Sequence, residues 1–240
     1  MTVIRISVWS GPRNISTALM YSFHQRHDTT VVDEPLYAHY LVRSGLEHPG
    51  RDEVLAAQDN DGETVIRDVI LGPVATPVLF LKNMAHHLRG LDWSFLAELR
   101  NVILTRHPAE MLPSLIRQVP DPDLEGTGLP VQVELLDYIL DRGDDPLVVD
   151  SRLLLEDPPG VLAALCNRLG IRFDEAMLSW EAGPIPEDGV WAPYWYDSLH
   201  RSTGFGPYRP KEAKVPDRLQ PLLAQAVPLY ERLAAYSLGS

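Results

Sequence analysis

Hydrophobic positions along the chain fall into short apolar runs separated by stretches with helical spacing. Val3, Ile4, Ile6, Val8 and Trp9 form a β-rich run that reads as a strand buried on both faces. Ile15, Leu19 and Phe23 then recur at four-residue spacing, as one face of a helix does. The alternation continues downstream. Thr30 to Val32, Val78 to Leu81 and Val102 to Leu104 read as strands, Leu36 to Arg43 as a helix, and a further apolar run ends at Asp150. Pro108 suits the first turn of a helix after Leu104. Asp157 predicts a cap followed by Pro158, a stripe of Val161, Leu165 and Leu169, and a stop at Gly170. Leu219, Leu222, Leu223, Leu229 and Leu233 predict a terminal helix, kinked near Pro228. Strands alternating with helices predict an α/β fold around a short, mainly parallel sheet.

Two segments break this rhythm. Residues 44–62 are polar and marked by Gly and Pro, which predicts a mobile excursion. Residues 119–130 form a Pro/Gly/Asp-rich loop, of the kind that serves as a lid or an acceptor-binding element. At 240 residues and 45% hydrophobic content the chain suits a single domain over 1–240, and no repeats stand out. The one cysteine, Cys166, falls within the predicted helix of 158–169 and reads as a small core residue. No apolar stretch approaches the length of about eighteen residues that spans a bilayer, and no leader pattern opens the chain, so the expectation is a cytoplasmic protein without membrane contact. A net charge of −12 argues against nucleic-acid and anionic-membrane binding.

The candidate chemistry begins at the turn Gly11-Pro12, followed by Arg13, Asn14, Ile15, Ser16 and Thr17. Asn14 is a plausible cap for the helix that opens there. Such a helix start aims unpaired backbone N–H groups and the positive end of its dipole at the space above the strand's carboxyl end. Arg13, Ser16 and Thr17 add a fixed charge and two hydroxyl donors, which suits a phosphate or a sulfate. The loop is not that of a nucleotide triphosphatase. Counted from Gly11, Ser16 stands where that motif has its second glycine and Thr17 where it has lysine. A dinucleotide fingerprint is absent as well. A second strand-turn-helix, NVILTRHPAEMLPSLI, puts Arg106 and Ser114 eight residues apart. Arginine supplies a planar charged fork and serine a hydroxyl, a pair that can read a phosphate.

Together these segments resemble the sulfotransferase superfamily. Pro12 to Thr17 is similar to its variant P-loop, with Ile15 where the family has glycine, and Arg106 with Ser114 is similar to its 3′-phosphate motif. Residues 147–173 resemble a third family segment of mainly architectural role. The resemblance implies a P-loop NTPase-like three-layer α/β/α fold and transfer of a sulfuryl group from 3′-phosphoadenosine 5′-phosphosulfate to a hydroxyl or amine. No metal belongs to that pattern. It implies a donor site of Gly11, Pro12, Arg13, Asn14, Ile15, Ser16, Thr17, Arg106 and Ser114. Arg201, in a loose counterpart of the family's late Gly-rich basic loop, joins that set.

For the proton acceptor, two strand ends compete. Glu34 follows the second strand where some bacterial relatives carry a catalytic glutamate, and its other reading is a carboxylate at a helix start. His86 follows Lys82 in LKNMAHHL, near the Lys-x-His element of the cytosolic branch. Lys82 would bind the bridging oxygen or the acceptor. Asp33 and Asp150 each end an apolar run, as a magnesium-binding aspartate does, which keeps an ATP-dependent kinase open beside a noncatalytic nucleotide- or anion-binding module. The acceptor is expected to be a small neutral or cationic molecule. Aromatic residues of 190–208 could wall it or anchor a loop. No interface pattern points to an oligomeric state.

Overall fold

The computed structural model describes residues 3–209 and 214–239. Its five strands are β1 (Ile4–Ser10), β2 (Thr29–Asp33), β3 (Val78–Met84), β4 (Arg100–Thr105) and β5 (Leu147–Asp150). They form one sheet in the order β2-β3-β1-β4-β5, every pair parallel. Parallel sheets need both faces covered, and the apolar runs supply both. Alternate residues point to opposite faces, so Ile6, Val8, Phe80, Val102 and Leu104 meet one helical layer while Trp9, Leu81, Ile103 and Val148 meet the other.

Helices α1 (Ser16–His24), α2 (Tyr37–Ser44), α3 (Arg51–Ala57) and α4 (Gly62–Val65) belong to the first half of the chain. After β4 come α5 (Pro108–Leu115), α6 (Leu129–Asp141), α7 (Ser151–Glu156) and α8 (Pro158–Leu169). Two short helices, α9 (Ala192–Trp195) and α10 (Asp197–His200), precede α11 (Gln220–Ala234). α1 and α8 cover one face through Leu19, Phe23, Leu162 and Leu165, and α6 and α11 cover the other through Leu135, Leu136, Ala226 and Leu233. Each fully buried Leu or Phe of this kind contributes about 1.5–3 kcal/mol over exposure. The result is the three-layer α/β/α arrangement.

Several local expectations need correction. Residues 44–62 are not a bare excursion, because α3 forms within them and buries Val54 against the aromatic cluster around Trp191. Asn14 does not cap α1. Ile15 occupies the cap position, and the Asn14 amide instead donates to the Leu104 carbonyl at 2.8 Å, tying the first loop to β4. β3 runs past Leu81 through Lys82 and Asn83, since the ladder continues and the lysine charge is met inside the protein. Asp157 does cap α8, with Pro158 at its start and Gly170 closing it in the left-handed region. Cys166 is buried there, and burial pushes its thiol up to about 11. α11 continues through Pro228.

Connections from β1 and from β4 leave in opposite directions across the sheet, so the carboxyl ends of these neighbours form the switch point where α/β folds bind ligands. Gln132 of α6 spans it, donating to the carbonyls of Trp9 at 2.9 Å and Leu104 at 2.8 Å.

Candidate active site

A cleft of about 730 Å³ opens above the carboxyl ends of β1, β2, β3 and β4. Its floor is the loop Pro12 to Thr17. Gly11 sits just behind, with no room for a side chain: a Cβ would lie 2.7 Å from the Thr127 carbonyl oxygen. The left-handed backbone that this loop requires falls on Arg13, at φ 56°, and Ile15 keeps φ −96°. Glycine is therefore not needed at Ile15.

Only two described non-glycine residues have positive φ, Arg13 and Glu34, the latter at 38°. Each such residue stores about 1–3 kcal/mol of strain, which surrounding contacts must offset. Both line the cleft, from opposite sides.

On one side stand three arginines. Arg13 Nε donates to Ser114 Oγ at 3.0 Å, and Arg106 donates to the Arg13 carbonyl at 3.0 Å and to Glu110 at 3.2 Å. Arg117, which sequence reasoning missed, joins them in the cleft wall. Burial first, then the like charges of Arg117 and Arg106, lower the Arg13 pKa. Three guanidiniums that repel one another beside a helix start make an anion site, since an anion removes the repulsion. The missed signal was the spacing Ser114 to Arg117, one turn apart on the helical register.

On the other side is a buried ionic cluster. Lys82 is fully buried and donates to Asp33 at 2.9 Å, to Glu34 at 2.5 Å and to the Tyr196 hydroxyl at 2.5 Å, which saturates its three N–H groups. Tyr196 donates in turn to Asp33 at 2.7 Å and accepts from Trp191 Nε1 at 2.8 Å. Burial raises the Glu34 pKa, Lys82 opposes that, and Asp33 adds to it. Burial also disfavours the lysine charge, but the two carboxylates outweigh it and raise the Lys82 pKa. Asp33, which from its place at a strand end could imitate a magnesium-binding aspartate, is here the second partner of Lys82. Asp150 is occupied differently, capping α7 at the N–H of Arg152 and accepting from the Tyr230 hydroxyl.

His86 also lines the cleft. Burial, with smaller contributions from His48 and Arg89, pushes its pKa down to about 3. It packs against Tyr40 at 4.6 Å between centroids, and its Nδ1 has no partner among the described residues. His87 stacks on Tyr37 and Tyr40, and its Nε2 lies 3.9 Å from Glu34.

Arg201 does not join this constellation. Four residues along from Asp197, it pairs with that carboxylate at 2.6 Å on an exposed surface, which holds the guanidinium outside the cleft wall. Its neighbours Ser202, Gly204 and Phe205 do line the cleft, as do Trp191, Trp195 and Tyr196, so the aromatic segment is partly wall. Tyr194 is exposed and donates to Glu53 at 2.9 Å.

Residues 4–237 match the family described as Sulfotransferase domain. The chain belongs to that family. Solved sulfotransferase domains share its fold. The domain of the Synechococcus PCC 7002 olefin synthase has a TM-score of 0.58 at 21% identity, covering 99% of this chain and 97% of its own. A sulfotransferase from Alicyclobacillus acidocaldarius also reaches 0.58, at 11% identity, covering 98% and 96%. Among curated sequences, the branched-chain-amino-acid aminotransferase-like proteins 2 and 1 of Arabidopsis thaliana are 42% and 43% identical to this sulfotransferase domain over 232 residues. That stretch is 96% of this chain but 41% and 42% of theirs, so the chain spans about two fifths of the length of these relatives. No helix among the described residues is long and apolar enough to cross a membrane.

Proposed function

We propose that residues 1–240 act as one sulfotransferase domain that moves a sulfuryl group from 3′-phosphoadenosine 5′-phosphosulfate to a hydroxyl or amine of a small acceptor. The observation that carries this reading is the pairing, across one cleft, of the Arg13, Arg106 and Arg117 cluster with the buried Glu34 carboxylate. The residues fit the donor. Arg13, the loop N–H groups, Ser16 and Thr17 stabilise charge developing on the leaving 5′-phosphate. Arg106, Ser114 and Arg117 hold the 3′-phosphate. The donor supplies an activated sulfuryl group. Glu34 takes the acceptor's O–H proton as the acceptor oxygen bonds to sulfur. The bond from sulfur to the 5′-phosphate oxygen breaks, and its electron pair leaves on adenosine 3′,5′-bisphosphate.

Glu34 is the better base of the two candidates. Its pKa is raised by burial, toward the range that favours proton uptake, whereas His86 at about 3 has little affinity for a proton. Lys82 and Asp33 position Glu34 and keep it from leaving its strained backbone geometry.

Calorimetric titration with adenosine 3′,5′-bisphosphate, beside ATP with and without magnesium, tests the reading without knowing the acceptor. Tight bisphosphate binding that ATP does not match is expected. Preference for magnesium-ATP would overturn the reading in favour of a kinase.

A further inference from the structure

The half of the cleft around Glu34 is walled by rings. Tyr37 meets Trp191 edge-on at 5.2 Å and Tyr40 packs on His86 and His87. His48 bridges both tyrosines at 6.0 Å and reaches Trp195 at 6.4 Å. Burial lowers the pKa of all three imidazoles, so this wall is uncharged near neutral pH. The buried Lys82 beside it has all its donors taken by Asp33, Glu34 and Tyr196. Two carboxylates against one ammonium leave the buried cluster a negative charge in excess.

Glu47, Asp121 and Asp123 also line the cleft; Glu47 and Asp121 are met by Arg51 at 3.8 Å and by Arg218, which leaves Asp123 as the third carboxylate. The field of Asp123 and Glu125 reaches Tyr40, whose hydroxyl is pushed up to about 12, chiefly by burial and then by these carboxylates. The arginines of the cleft, Arg13, Arg106 and Arg117, lie on the donor side, where phosphates would meet their charge, Arg106 being also paired with Glu110. Within the wall, His86 is only 6% exposed, and its Nδ1, without a hydrogen-bond partner among the described residues, faces the backbone at Gly128.

We infer that the acceptor is an organic cation: an ammonium compound carrying the reactive hydroxyl, its charged nitrogen held by the half-buried rings of Tyr40 and Trp195 and by Asp123. Aromatic faces attract cations through their quadrupoles, and more strongly where water is excluded. An acceptor bearing a carboxylate or phosphate would face the excess charge of Asp33 and Glu34. The inference rests on the sulfotransferase reading above for which half of the cleft holds the donor.

The test titrates the protein, free and saturated with adenosine 3′,5′-bisphosphate, with two phenols of similar shape and opposite charge, tyramine and 4-hydroxyphenylacetate, and with choline. Tyramine is expected to bind on the order of tenfold or more tighter than 4-hydroxyphenylacetate, its affinity falling as salt is raised. Tyr40→Phe keeps the ring and should retain that preference, whereas Tyr40→Leu should lose most of it while bisphosphate binding persists. Equal affinities, a preference for the carboxylate, or no binding of either ammonium compound overturns the inference. Should Tyr40→Leu fail to fold, the comparison of ligands on the unaltered protein still decides. Bisphosphate binding without ammonium preference sinks this inference alone. Ammonium preference without bisphosphate binding upholds the wall's selectivity and sinks the donor assignment.

Discussion

Glu34 Oε1 lies 2.5 Å from Lys82 Nζ in the interior, while Asp33 holds the same ammonium at 2.9 Å, so one buried cation serves two carboxylates from adjacent positions on one strand end. The arrangement leaves Glu34 anchored yet underneutralised. That combination suits the base proposed here, and it makes Lys82 the keystone of the cluster.

Lys82→Met removes the cation and leaves two carboxylates buried together. Thermal or denaturant unfolding at neutral pH should show a loss of about 3–5 kcal/mol, the usual consequence of orphaning a buried charge. The deficit should shrink as the pH is lowered and Glu34, whose pKa burial already raises, takes up a proton. A deficit that stays constant with pH would mean that the lysine acts through packing alone.

Glu34→Gln separates stability from catalysis. The folded pKa of Glu34 is raised above its unfolded value, so its ionised form opposes folding: the penalty sets in as pH rises through the unfolded value and is complete above the folded one. Gln carries no such penalty. It also leaves Lys82 with Asp33 as its remaining carboxylate partner, so the two effects oppose each other and the melting temperature should change little. Turnover should fall about 10²–10⁴-fold with bisphosphate binding retained.

His86→Asn offers a complementary test. With its pKa at about 3, His86 is neutral throughout the working range, so the acid limb of the kcat/KM profile should stay where it is in the variant. An acid limb that disappears with the histidine would transfer the role of base to it.

Arg106→Ala and Arg117→Ala should each weaken bisphosphate binding about 10- to 100-fold, as loss of a charge-assisted hydrogen bond does, with a shallower dependence on salt. Arg117→Ala should leave the melting temperature unchanged or slightly raised, because it relieves repulsion with Arg13. Calorimetry and a melting curve on the same preparations check both.

Gln132→Leu tests the clip between the two phosphate loops. Its amide bonds the carbonyls of Trp9 and Leu104, and Leu104 also receives Asn14. Leaving buried carbonyls unmet costs about 1–3 kcal/mol. The melting temperature should fall, and bisphosphate affinity should weaken although Gln132 lies outside the cleft lining.

The chain's linear pattern determined the layers of this fold and half of its site. Apolar runs ending at Ser10, Asp33, Leu104 and Asp150 announced parallel strands, because a strand buried on both faces admits few polar residues. The candidate anion-site residues Arg13, Arg106 and Ser114, which the fold brings to one cleft, could be picked out because a helix start after a strand is a local motif. Lys82 and Asn83 hid the end of β3, since polarity reads as a loop unless the partners of a buried lysine are known. Those partners come from β2 and from Tyr196, 114 residues away from Lys82. Asn14 looked like a cap, and only the approach of β4 turned it into a strap. Arg201 looked like a ligand until its pairing with Asp197 turned it outward. Periodicity and loop chemistry act between neighbours in sequence and are written in it. Charge compensation, desolvation and the walls of a cleft are sums over residues that only folding brings within a few ångströms, and the tertiary structure alone decided them.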